Sequence, residues 1–318
     1  MPMTSKLHKE FQNRISNLFI EHDEVKRIWK RLDKNRGNKR AGVLSDDSPI
    51  HLFIEGKSGA GKSMTLKKYV KKNKGWTVVD EEETETDIKP VIYMTLPVPF
   101  TYKGFYNNIL KAMGMPARNA DVDRIKTQAF EMMKELKVEM LIIDELDYLL
   151  ASTFVQRKAV MENIKDIANS ADVCLVCVGT LAIEELRTLN TQHIRRYPKT
   201  VLKHFEKCDD SFREFIKNIE VELSPPPGLL DWSKDENIFS ELIYELTGGL
   251  VGWIKPILRE AFDIIGVMEE DFNDFNILKK LDGTVIAEAQ KNIIGEFADN
   301  DMAKILADEL ESKEEDSA

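Results

Sequence analysis

Cysteine is scarce in this sequence, and long apolar runs are missing. The three cysteines among 318 residues, Cys174, Cys177 and Cys208, are an odd set too sparse for a disulfide framework. Cys174 and Cys177 have CxxC spacing, but they lie in the apolar run from Val173 to Val178. Residues three apart on a strand face opposite ways, which argues against a redox pair or a metal site. No stretch of about twenty apolar residues is present to span a bilayer. Residues 1–14 also lack the apolar centre of a secretory signal, so the expectation is a cytoplasmic protein without a membrane partner. No internal repeat is visible. The formal net charge of -10 argues against a protein that simply coats nucleic acid.

What is present is unevenly distributed. Residues 26–40 carry eight Lys or Arg and one Asp, whereas residues 299–318 carry eight Asp or Glu and two Lys. Between these ends, short β-rich runs alternate with helical patterns, the signature of a parallel α/β fold. The runs are His51 to Glu55, Val91 to Leu96, Val138 to Ile143, Val173 to Val178 and a weaker Thr200 to Phe205. Near-continuous apolar character in the third and fourth predicts strands covered by helices on both faces. After Cys208 the pattern turns helical: Phe212, Phe215, Ile216, Ile219 and Leu223 share one face before Pro225, Pro226, Pro227 and Gly228 break it. Further helices are expected over about Glu236 to Leu246, Val251 to Ile265 and Thr284 to Phe297. Asp80 to Asp87 reads as an exposed acidic loop. The layout is therefore a basic helical segment with linker over 1–45, an α/β core over 46–207, a helical domain over 208–298 and an acidic tail over 299–318.

Gly56, Lys57, Ser58, Gly59, Ala60, Gly61, Lys62 and Ser63 fit GxxxxGK[ST] in full, with Met64 next on the helix that follows. A strand leads into the loop, the context the motif needs to cradle nucleotide phosphates. Lys62 would reach the β- and γ-phosphates and the Ser63 hydroxyl would ligate Mg²⁺, making ATP with Mg²⁺ the expected ligand. The run Met140 to Glu145 supplies the partner motif: Asp144 as second Mg²⁺ ligand and Glu145 to orient or deprotonate the attacking water. Asp147 reads as a surface carboxylate on the next turn, with an approach to the site as the alternative. Thr180, ending the fourth strand, is either a γ-phosphate sensor or the N-cap of the helix beginning at Leu181.

The glycine loop, VEMLIIDELDYLLA, VCVGT and TQHIRRY, in this order and spacing, resemble the TniB/TnsC group of AAA+ transposition ATPases, related in role to the phage Mu B target-DNA activator. The resemblance covers about residues 24–265 and includes PVIYMTLPVPFTYKGFYNNILKAMG and LTGGLVGWIKPILREA. It implies an AAA+ P-loop ATPase with a C-terminal helical lid. Such a protein would form rings or filaments on double-stranded DNA, engage a transposase and a target-selection protein, and leave the DNA after ATP hydrolysis. It also implies Thr180 as first sensor and Arg196 as a finger toward a neighbouring subunit's γ-phosphate, with Arg195 a rival one residue away. Thr101, Tyr102 and Lys103 fall where the family contacts the DNA backbone, and Arg118 and Arg124 are nearby. Gly252 is followed by Trp253 where many AAA+ lids have a second-sensor arginine, with Lys255 and Arg259 further on. The basic run from Lys26 to Arg40 is a second candidate DNA surface, with Ile28, Trp29 and Leu32 turned inward. The same core motifs also suit a replication initiator or helicase loader, or a weakly hydrolysing nucleotide-switched scaffold.

Overall fold

The computed structural model describes residues 6–40, 51–79, 81–151, 156–232 and 238–295; the acidic tail and the linker 41–45 lie outside them. In chain order the elements are α1 (Lys6–Asn17), α2 (Asp23–Arg40), β1 (Leu52–Glu55), α3 (Lys62–Lys72), β2 (Trp76–Val79), β3 (Glu85–Ile88) and β4 (Val91–Thr95). Next come α4 (Tyr102–Ala112), α5 (Val122–Glu135), β5 (Met140–Asp144), α6 (Tyr148–Ala151), α7 (Arg157–Ala171) and β6 (Cys174–Gly179). The remainder comprises α8 (Glu184–Thr188), α9 (Thr191–Arg196), β7 (Lys199–Val201), α10 (Asp210–Leu223), α11 (Phe239–Thr247), α12 (Val251–Ile264) and α13 (Gly283–Ile294). No described helix is long and apolar enough to cross a membrane.

Two compact units result. The first, Glu21–His204, holds a five-stranded sheet of order β4-β5-β6-β1-β7, parallel throughout. Every residue of β1, β5 and β6 is buried, because helices cover both faces. Cys174 and Cys177 are buried in β6, and burial pushes the Cys177 thiol well above its usual range. The second unit joins the chain up to Ile20 with the chain from Phe205. Its core gathers Phe11 and Ile15 of α1 with Phe212, Ile216, Ile257 and Phe262. In α10 the Asp209 side chain caps the first turn by accepting from the amides of Ser211 and Phe212, and the helix ends at Leu223 before the prolines. The stretch read as one N-terminal segment therefore divides between the two units.

Two sequence readings are corrected. The expected acidic loop from Asp80 to Asp87 contains β3, which pairs antiparallel with β2, Trp76 opposite Ile88 and Val79 opposite Glu85. This hairpin buries almost nothing, so its residues lack the apolar alternation that marks a half-buried strand. The fifth strand is the three-residue β7, ending four residues earlier than expected, because only Lys199–Val201 pair in register with β1, the Leu202 amide closing the ladder on the Glu55 carbonyl.

The basic helix α2 is packed on α3 through a buried polar network. Arg36, 1% exposed, donates to Glu139 Oε2 at 2.8 Å, to the Tyr69 hydroxyl at 3.1 Å and to Asn73 Oδ1 at 2.7 Å. The Tyr69 hydroxyl in turn donates to Asp33 Oδ1 at 2.8 Å, and Trp29 Nε1 donates to the Thr65 carbonyl at 3.0 Å. Truncating Arg36 strands a partly buried carboxylate and two polar groups, so Arg36→Ala should cost about 3 kcal/mol, read as a lowered denaturant midpoint. A shift under about 0.5 kcal/mol would show that the network is not holding α2 in place.

Candidate nucleotide site

The glycine loop spans the turn from β1 into α3, and its glycines are required by geometry. A Cβ on Gly56 would meet the Leu202 carbonyl at 2.8 Å, and Gly59 and Gly61 have φ of 77° and 90°. Lys62 Nζ donates to the carbonyls of Gly56 at 2.5 Å and Lys57 at 2.9 Å, so the lysine lies folded over the loop. The N-terminus of α3 opens directly behind, offering amides and a favourable dipole to an anion.

The second motif lies at the end of β5, whose Asp144 pairs in register with Thr95 of β4. Asp144 is buried and accepts from the Tyr93 hydroxyl at 2.6 Å and from the Glu145 amide at 2.8 Å. Tyr93 also bonds to Ser63 and thus stands between the two expected metal ligands; burial, then Asp144, raises its phenol well above the usual range. The sequence reading missed Tyr93, since a tyrosine within a strand carries no local signal. Glu145 is half-buried in the left-handed region with φ of 63°, and Tyr148 hydrogen-bonds to its side chain. The Ser63 hydroxyl and the Asp144 carboxylate offer oxygens that suit Mg²⁺, and the loop amides offer N–H donors that suit a phosphate chain.

Asp147 is not a surface carboxylate. It accepts from the Thr180 amide at 3.0 Å and from the Thr180 hydroxyl at 2.5 Å, bridging the loop after β5 to the end of β6. Gly179 makes this approach possible, because a Cβ there would lie 2.6 Å from Asp147 Oδ2. Thr180 also caps the turn at Leu181–Ile183, accepting from the Ala182 amide at 3.3 Å. The capping reading is thus met, while Asp147 fixes where the hydroxyl points.

The remaining predicted residues lie elsewhere. Arg196 is half-buried next to His51, whereas Arg195 is exposed. The Arg196 carbonyl accepts from the His51 amide at 3.0 Å, which places the end of α9 at the start of β1, while the glycine loop is at that strand's far end. Thr101 caps α4 by accepting from the Gly104 amide at 3.0 Å. Lys103 donates to Asn119 Oδ1 at 2.7 Å, and Asn107 bonds the backbone of Arg118 on both sides. Tyr102 packs edge-on against Phe100. These four candidates therefore share the N-terminal end of α4, with Arg118 exposed and Arg124 facing Asp121 at 3.8 Å. Lys255 donates to the Ser16 carbonyl at 2.7 Å and Arg259 is exposed, both within the second unit.

Directly before the loop, Glu55 is 2% exposed, with Lys199 Nζ 3.9 Å away and Glu184 beside it. Burial, then the hydrogen bond with Glu184, pushes the Glu55 carboxyl up to about 7. The Arg187 guanidinium, bonded at 2.8 Å, holds Glu184 well below the usual range. With the folded value of Glu55 raised above its ordinary 4.5, its stabilisation is complete below that value and is lost as pH rises through about 7. The Glu55 contribution to the stability of the first unit should therefore fall between about pH 5 and pH 8 by roughly 2 kcal/mol; burial lowers His51 to about 4 and adds an opposing rise over part of that range, so the contribution is read as the difference between the pH slopes of wild type and Glu55→Gln. An unchanged slope in the variant would remove Glu55 as its source.

No curated protein matches the sequence. Among solved structures, the fold is similar to Cdc6p of Pyrobaculum aerophilum, at 15% identity and a TM-score of 0.52 over 75% of this chain and 61% of that one. It is also similar to the Orc1 protein of Aeropyrum pernix solved in complex with DNA, at 16% and 0.56 over 83% and 64%. A third likeness is to a Walker-type ATPase of Pyrococcus abyssi, at 16% and 0.53 over 98% and 79%. The chain spans less than two thirds of the length of the first two. These likenesses establish the fold as an AAA+ P-loop NTPase with a parallel, helix-flanked sheet. The family described as "Bacterial TniB protein" matches residues 13–207, more than half of the sequence, and the chain belongs to that family.

Proposed function

We propose that this protein is an ATP-hydrolysing regulator of transposition that assembles on double-stranded DNA, links target DNA to a transposase, and disassembles after hydrolysis. The observation that carries the enzymatic part is the Asp147 bridge, which puts the Thr180 hydroxyl and the Asp144–Glu145 pair on adjoining strand ends beside the phosphate loop. Lys62 and the loop amides would bind the phosphates. Ser63 and Asp144 would hold Mg²⁺, which when bound neutralises charge on the β- and γ-phosphate oxygens. Glu145 would take the proton of the attacking water as the bond from the γ-phosphorus to the β-bridging oxygen breaks, releasing ADP and phosphate. Thr180 would donate to the γ-phosphate from the position Asp147 gives it.

The position of α9 supports a site shared between copies. His51 to Gly56 spans about 17 Å at the usual strand rise, so an arginine at the start of β1 is out of reach of its own loop. It would serve a neighbour, as an arginine finger does. Exposure favours Arg195 for the reach, with Arg196 packed beside His51 as its support. The Cdc6p and Orc1 likenesses favour one second reading, a replication initiator or helicase loader. Genomic neighbours separate the two: a transposase gene beside this one favours the first, a replicative helicase gene the second.

Glu145→Gln should retain ATP binding, abolish turnover and prolong DNA-bound assemblies seen by electron microscopy; undiminished phosphate release would remove Glu145 from its role. Asp147→Ala should lower turnover about 10–100-fold with ATP affinity kept, since it frees the Thr180 hydroxyl to turn away. Arg195→Ala should lower DNA-dependent hydrolysis with an unchanged melting temperature, whereas Arg196→Ala should lower both. If only Arg196→Ala affects hydrolysis and stability is untouched, the finger is Arg196.

A further inference from the structure

The stretches that form α2 and α3 concentrate one sign of charge in a chain of opposite net sign. Residues 26–40 and 62–74 hold 14 of the 45 Lys and Arg but only one of the 55 Asp and Glu. Sequence separates these stretches; folding joins them, through the bonds from Trp29 to Thr65 and from Arg36 to Tyr69 and Asn73. Lys72 extends the junction by lying 4.6 Å over the Trp29 ring.

The acids that bond to α2 or α3 are engaged there or confined to one end. Asp23 and Glu24 occupy the first turn of α2, where the helix dipole favours them, and face Lys26 and Arg27. Glu21 faces Lys72, Asp33 accepts from Tyr69, and Glu139 accepts from Arg36. That leaves Lys30 and Lys34 on α2, Lys71 in the last turn of α3 and Lys74 two residues past its end, all exposed and in no ion pair among the described residues. Lys67, also exposed, lies over the Tyr93 ring.

Lys26, Lys30 and Lys34 follow one another at i, i+4, as do Lys67 and Lys71. Like charges at this spacing stand about 6 Å apart and destabilise the helix that carries them. A face built only for solvation interleaves the two signs; this one does not. A polyanion with closely and regularly spaced charges relieves the repulsion, and the duplex DNA backbone is such a polyanion. Lysine is a flexible point charge without the forked donors that read base edges, so the contact would be to phosphates irrespective of sequence.

We propose that the outward faces of α2 and α3, with Lys74 just past the end of α3, form a duplex-backbone surface made of Lys30, Lys34, Lys71 and Lys74, in addition to the candidates at the start of α4. This rests on the DNA-binding reading given above.

The test is equilibrium binding of the full chain to a fluorescent duplex across about 50–200 mM KCl with a slowly hydrolysed ATP analogue. Wild type is compared with Lys30→Gln/Lys34→Gln/Lys71→Gln/Lys74→Gln and with Lys103→Gln/Arg118→Gln. The four-lysine variant should bind at least about tenfold more weakly at the middle of the range, with a log–log salt slope shallower by about 2–4. Its circular dichroism and nucleotide affinity should match wild type. Wild-type affinity and slope in the four-lysine variant, with wild type binding normally, would overturn the surface and leave the DNA reading standing. Wild type that binds no duplex in any nucleotide state would overturn both. Displacement of the duplex by polyglutamate of matched charge, as effectively as by unlabelled duplex, would assign the face to an acidic protein and overturn the proposal.

Discussion

The carboxylate of Asp147 ties two strand ends together, and the geometry of the nucleotide site depends on it. Asp144 ends β5, and Glu145 and Asp147 lie on the short turn that follows. That turn is fixed at three points: Tyr93 on Asp144, the Leu146 amide donating to the Val178 carbonyl at 3.0 Å, and Asp147 on Thr180. Between them Glu145 has φ of 63°, a conformation that for a non-glycine residue costs on the order of 1–3 kcal/mol and persists only where its surroundings over-determine it. The three anchors supply that constraint. They also explain why residue 179 is glycine: any side chain would push Asp147 off Thr180 and release the turn.

The parts of the site that could be read in the sequence were those whose chemistry is local. The phosphate loop is eight consecutive residues, and its Gly59 and Gly61 meet their conformational demand within the loop itself. Asp144 and Glu145 end a buried strand, which the apolar run before them announces. Asp147 was misread because its partner is 33 residues away on another strand, and the enabling feature is the absence of a side chain on Gly179. Tyr93 and Glu55 escaped for the same reason, each having its meaning from strands that only the sheet brings together. At the level of the fold, the buried central strands were legible, whereas β2 and β3 were not, since a hairpin exposed on both faces has no apolar period to detect. Nor does the amphipathic face of α1 say which core it joins; Phe11 and Ile15 pack among residues more than 190 positions later.

The same logic governs α2. Its apolar residues Ile28, Trp29 and Leu32 are all buried, as their helical spacing requires. Apolar burial alone does not account for the attachment, because α3 is itself lysine-rich and two such helices repel. Arg36 resolves this by carrying its charge inward, where Glu139 and the Tyr69 and Asn73 oxygens accept from it, so the charge on the seam is matched by oxygens. Lys30, Lys34, Lys71 and Lys74 then face solvent without opposing the contact. Trp29 bonds the carbonyl of Thr65, in the first turn of the helix whose N-terminus closes the phosphate loop. An anion gathered on the outer face and a phosphate held in the loop would therefore rest on the same rigid element. A pull on α2 would have to break buried hydrogen bonds before it moved independently of α3.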